Sequence, residues 1–123
     1  MSYKLLVLAA IAVGVMSTDA NAQDFPEGSI APPAAELQTI LAGNVFDVKL
    51  PTGDNWRFQL DKNGFFYVDT PRGQDSGKWR AEDGKMCTEP RRSSASCNEM
   101  RLQGGKLFMK RDNGQIVQFV LRQ

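Results

Sequence analysis

Turn signals recur at close to ten-residue intervals from residue 52 onward, and this spacing constrains the fold more than any other feature. They are Thr52-Gly53, Asn63-Gly64, Arg72-Gly73, Asp83-Gly84, the Ser93-Ser94 region, Gly104-Gly105 and Asn113-Gly114. Asn-Gly and Asp-Gly readily take the positive φ angles of tight hairpin turns. Between the signals lie short runs in which apolar and polar residues alternate. Phe46, Val48 and Leu50 alternate with Asp47 and Lys49; Trp56, Phe58 and Leu60 with Arg57 and Gln59. Trp79 and Ala81 alternate with Lys78 and Arg80, and Val117, Phe119 and Leu121 with Gln118, Val120 and Arg122. A period of two marks a strand with one buried face.

The pattern predicts eight strands, at about 44–50, 55–61, 65–70, 76–82, 85–90, 97–103, 106–111 and 115–122. Connections this short make each strand antiparallel to its predecessor, which is a meander. A meander of eight strands removes its edges by closing into an up-and-down barrel. The expected fold is therefore all-β, a small lipocalin-like barrel. At this strand number the interior is filled by side chains or holds one small ligand. Trp56, Phe58, Phe66 and Trp79 are the residues expected to fill it, or to line a ligand pocket. "GFFYV" and "KLFMK" are apolar on both parities, so their inward faces stay open; at least one ring among Phe65, Phe66 and Tyr67 must point outward.

One helix is expected, at Ala34–Gly43. Leu37, Ile40 and Leu41 share a face, Pro33 suits the first turn and Gly43 the C-terminal cap. It is short enough to need packing against the barrel, and is expected to close one end. Before it, residues 23–33, "QDFPEGSIAPP", hold three prolines and read as a linker or a strapped-down arm, with Phe25 and Ile30 able to dock.

Residues 1–22 read as an export signal. Lys4 precedes the apolar run "LLVLAAIAVGV", and Ala20-Asn21-Ala22 gives an A-x-A cleavage pattern that leaves Gln23 as the new N-terminus. The apolar run is shorter than the roughly 18–20 residues that span a bilayer. The expected location is periplasmic or secreted, with residues 34–123 as the single barrel domain. Removing Lys4 and Asp19 with the signal leaves the formal net charge at +1, which offers no general attraction to nucleic acid or membrane.

In an oxidising compartment, two cysteines read as one disulfide, Cys87 to Cys97. The spacing is too long for a C-x-x-C redox pair. With no histidine in the chain, two cysteines fall short of a four-ligand zinc site. The staple sits at the base of the longest polar connection, Glu89 to Ser96. Limiting its wander lowers the ordering cost of binding. Arg91 and Arg92, beside Glu89, Ser93 and Ser94, form the candidate partner-binding tip, because guanidinium groups clasp carboxylates or phosphates. The plain alternative is a pair of solvated hairpin charges.

Enzymatic chemistry finds little support. The absence of histidine removes the commonest general base and any Ser-His or Cys-His pair. Asp47, Asp54, Asp61 and Asp69 sit in strand and turn settings with no spacing that defines a catalytic pair. Asp61-Lys62-Asn63-Gly64 matches the opening of a calcium loop but lacks the remaining ligands, and a hairpin turn explains it better. No metal, cofactor or catalytic residue is expected.

The helix followed by Gly43-x-x-Phe46, then Gly77-Lys78-Trp79, the Asp83-Gly84 turn, Met86-Cys87 and a second cysteine at Cys97, resembles small secreted alphaproteobacterial proteins with a G-x-W…C…C segment and no assigned function. The resemblance covers roughly residues 40–103 and implies an envelope or extracellular location and a compact β-fold. A looser likeness is to lipocalin-type barrels and to small β-barrel inhibitors of secreted proteases, which open with a glycine-aromatic segment. The expected function is non-enzymatic binding of another protein through the loops, as an inhibitor of or accessory to an envelope or secreted protein. A small-ligand carrier is the alternative.

Overall fold

A computed structural model describes residues 23–123; the signal expected over residues 1–22 lies outside the described residues. Helix α1 (Ala34–Leu41) is followed by strands β1 (Asn44–Lys49), β2 (Asn55–Leu60), β3 (Phe65–Thr70) and β4 (Gly73–Glu82). Strands β5 (Lys85–Pro90), β6 (Ser96–Gln103), β7 (Lys106–Lys110) and β8 (Ile116–Leu121) complete the chain. Every strand is antiparallel to the next, and β1 pairs with β8 from Phe46–Leu121 to Lys49–Gln118, which closes the barrel. The all-β meander with one short helix is thus the observed architecture.

The largest departure from the expected strand bounds is in β4, which begins at Gly73 rather than near 76. Pairing of Asp69 with Gln74 and Thr70 with Gly73 carries the β3–β4 hairpin up to a tight turn at Pro71-Arg72. Residues 73 and 74 are exposed, so no apolar alternation announces them.

Apolar side chains make up the interior. Phe46, Phe58, Phe66 and Phe119 stack or tilt against one another with ring centroids 5.5–5.6 Å apart. Val48, Leu60, Trp79, Met86, Met100, Leu107, Met109 and Val117 fill the remainder. The two ambiguous strands resolve by parity: Phe66, Leu107 and Met109 face inward, while Phe65 and Tyr67 face solvent.

Helix α1 lies across the barrel end that carries the β2–β3 and β4–β5 turns. Leu37 and Leu41 are completely buried in the core, each contributing about 2 kcal/mol of apolar burial to hold a helix too short to persist alone. Pro33 stands at the N-cap, where its side chain cannot accept a hydrogen bond. Asp83, from the β4–β5 turn, substitutes: its Oδ1 accepts the Ala34 N–H at 2.8 Å. Gly43, at φ +80°, turns the chain into β1, and its N–H donates to Leu60 O.

Residues 23–33 lie along the outside of the barrel. Ile30 bridges Leu102 through both backbone groups, pairing with β6 beyond the start of β5. Phe25 lies beneath the Arg101 guanidinium and the Lys110 ammonium, 5.1 and 5.5 Å from its ring centroid. No helix among the described residues is long and apolar enough to cross a membrane.

Candidate partner-binding face

Cys87 and Cys97 stand directly opposite each other on β5 and β6 and are joined by a disulfide. Glu82 approaches the two sulfurs, but sulfurs bonded to each other are not metal ligands, so the cluster reads as a staple. Above the staple, Thr88 pairs with Ser96 and the chain turns through residues 91–95.

This tip is not a free loop. Arg91 N–H donates to Ser76 O at 2.8 Å. Asp75 of β4 accepts from the Arg92 N–H at 3.2 and 3.3 Å and from the Ser93 hydroxyl at 3.2 Å. Burial pushes the Asp75 carboxyl up, but donors from Ser76, Arg92, Ser93 and Arg91 outweigh it, and the group sits below the ordinary carboxylate value. A carboxylate surrounded by N–H and O–H donors is held ionised in this way. Of the expected tip residues, Ser93 therefore works as an anchor, Ser94 is exposed at the turn, and Glu89 points to Arg80 at 3.7 Å on the barrel wall below.

With their backbones fixed, Arg91 and Arg92 overhang the outer face of β3–β4. They line a depression of about 350 Å³ together with Arg57, Tyr67, Asp69 and Asp75. A second hollow of about 260 Å³ continues from it past Phe65, Tyr67, Lys78 and Arg91. The register explains the convergence. Arg57 pairs with Asp69, Gln59 with Tyr67, Tyr67 with Ser76 and Phe65 with Lys78, so these side chains form adjacent rows on one outer surface. Phe65 and Tyr67 are 42% and 46% exposed, the aromatic centre of a cationic surface.

The ion pairs among the described residues are Arg80 with Glu82 and Glu89, Arg101 with Glu99, and Arg122 with Asp47. None involves Arg57, Arg91 or Arg92. Sequence reasoning missed Arg57 and Asp75 as parts of this face. Arg57 was legible by parity, being outward on a strand whose inward residues are clear; Asp75 lies in the featureless start of β4 and carries no local signal.

Gly77 lies against the end of β5 just before the tip. A Cβ built there would lie 2.0 Å from Glu89 O and 2.9 Å from the Pro90 Cα. In Gly77-Lys78-Trp79, glycine thus permits the close approach of β5, and Trp79 enters the core with its Nε1–H donating to Asp61 O at 2.9 Å.

The four aromatic residues expected around a ligand pocket do not share one cavity. Phe66 and Trp79 are sealed in the core. Trp56 is half-buried at the barrel mouth away from α1, with the Arg111 guanidinium 4.8 Å above its ring. Trp56 and Phe58 line an open pocket of about 300 Å³ there, with Thr88, Asn98, Met109 and Arg111.

Three of the four aspartates considered for acid–base chemistry stand in local partnerships, and Asp69 lines the depression beside Arg57. Asp47 pairs with Arg122, Asp54 accepts from Thr52, and Asp61 accepts from Gln59. Asp61 to Gly64 forms the β2–β3 hairpin turn, closed by Gly64 N–H to Asp61 O.

No family model matches this chain, and no curated protein or solved structure matches it.

Proposed function

We propose that this chain is an exported, non-enzymatic binding protein that engages a protein partner through the outer face of β2–β4 and the β5–β6 tip. One observation carries the proposal: the guanidinium groups of Arg57, Arg91 and Arg92, none in an ion pair among the described residues, converge with exposed Tyr67 on one depression. The complementary surface carries carboxylates and an apolar side chain, since guanidinium groups bind carboxylates bidentately and aromatic and Arg residues dominate interface energetics. Asp69 in the same depression sets where the partner's carboxylates cannot go. The disulfide and Asp75 hold the tip in place, so little ordering cost remains at binding. Inhibition of a secreted hydrolase is one concrete form of this function.

Export is supported by the A-x-A leader pattern and agrees with a disulfide-bonded fold. The non-enzymatic reading rests on the missing histidine and on carboxylates dispersed among turns and ion pairs. The test is affinity capture with the disulfide-intact 23–123 chain from periplasmic and culture-supernatant extracts. A reproducible protein partner that is lost with R91A/R92A, at unchanged thermal stability, supports the proposal. Equal capture by the double variant removes it.

A second reading, a small-ligand carrier, is favoured by the pocket of about 300 Å³ under Trp56. It predicts a change in tryptophan fluorescence with a small apolar ligand, abolished by Trp56→Phe. No response across an apolar ligand screen counts against it.

A further inference from the structure

We propose that Gln23 becomes the N-terminus of the exported chain and cyclises there to pyroglutamate, whose lactam clasps the entry to β8. The proposal rests on the export reading above, with cleavage after Ala22.

Gln23 uses two groups of one residue on two neighbouring points of the barrel. Its backbone N–H donates to Gly114 O at 3.0 Å. Its side-chain Oε1 accepts from the Ile116 N–H at 2.7 Å. The two partners flank a single residue, Gln115, so the side-chain carbonyl and the backbone nitrogen of Gln23 face the same short stretch of backbone. Cyclisation joins these two groups in one five-membered ring.

Once the leader is removed, the reaction needs no co-reactant. The α-amine lone pair attacks Cδ and the N–Cδ bond forms. The Cδ–Nε2 bond then breaks, a proton passes from the α-nitrogen to Nε2, and ammonia leaves. The product keeps one N–H and one C=O on adjacent ring atoms. These are the groups that Gln23 already spends on Gly114 and Ile116. What is lost is the terminal positive charge and the amide NH2, which makes no hydrogen bond to the described residues.

The consequence is a terminus secured at both ends of the arm. Ile30 pairs with Leu102 at one end, and the lactam holds the β7–β8 turn at the other. Phe25, between them, keeps its place beneath Arg101 and Lys110. Residues at a chain end fray unless tied down in this way.

The experiment is tandem mass spectrometry of the N-terminal peptide from full-length protein expressed with its own leader and recovered from the exported fraction. The expected peptide starts at residue 23 and is lighter by one ammonia. An uncyclised Gln23 at the terminus overturns the inference and leaves export intact. A chain that stays in the cytoplasm with residues 1–22 attached overturns the export reading and the inference with it. The clasp is tested separately with a pyroglutamyl peptidase, which is expected to release the residue from unfolded chain and not from native chain. Equal release from both overturns the clasp.

Discussion

Asp75 accepts hydrogen bonds from the Arg92 N–H and the Ser93 hydroxyl, 17 and 18 residues further along the chain. One carboxylate in β4 therefore sets the position of the β5–β6 tip without touching the guanidinium groups that the tip displays. Replacing it with Asp75→Ala is expected to raise amide exchange at Arg92 and Ser93 while the barrel core stays protected. The same anchor responds to acid. Burial raises the Asp75 carboxyl and the surrounding donors more than reverse it, so the folded value lies below the ordinary 3.8. Asp47, held down by its hydrogen bond from Arg122 against some desolvation, shifts the same way. A depressed carboxyl contributes its full stabilisation above the unfolded value and loses it as pH falls through the folded one. Tip order and the Asp47–Arg122 pair should thus persist down to about pH 3.8 and fail only below it. An NMR titration of the Arg92 amide checks this, and a midpoint above 3.8 contradicts it.

Gly77 and Gly73 should respond differently to alanine. At Gly77 the new Cβ would meet Glu89 O at 2.0 Å, backbone that cannot yield without parting β4 from β5. Gly77→Ala is expected to lose at least about 2–3 kcal/mol or fail to fold. At Gly73, with φ +131° and nothing within 4 Å, only backbone strain applies, about 1–2 kcal/mol. Urea denaturation of both variants makes the comparison.

The disulfide closes a short loop whose ends already pair across β5 and β6. C87A/C97A is expected to lower stability by about 3 kcal/mol on the loop-entropy model. The barrel should nonetheless fold, because its core is filled independently of the two sulfurs. Denaturant melts of oxidised protein and of the double variant give the difference directly.

Asp83 reaches from a hairpin turn to cap the helix start where Pro33 cannot. Asp83→Ala should cost about 1 kcal/mol and Asp83→Asn less, because the amide oxygen still accepts. Thermal melts of the two variants decide whether this contact acts as a cap.

The barrel was legible because every strand announces itself twice, by period-two burial and by a turn signal at its end. Trp79, Phe58 and Val117 could be placed inward from parity alone. What was not legible depends on contacts remote in sequence. The start of β4 is exposed and has no alternation to read. The joining of Asp75 to Arg92 requires knowing that β4 runs past the end of β5. The separation of Trp56 from Trp79 depends on how far each lies along the barrel, which parity does not record. Arg57 and Tyr67 were outward on adjacent strands, yet only the register places them beneath Arg91.

The most direct test concerns this convergence rather than the tip alone. Once a captured partner is identified, its affinity is measured by calorimetry for the native chain, for Arg57→Ala and for R91A/R92A, alongside the thermal midpoint of each. Arg57 lies outside the hairpin but lines the same depression. Weakening by about tenfold or more for both variants, at unchanged stability, is the expected result. Native affinity retained in both would contradict a binding site on this face.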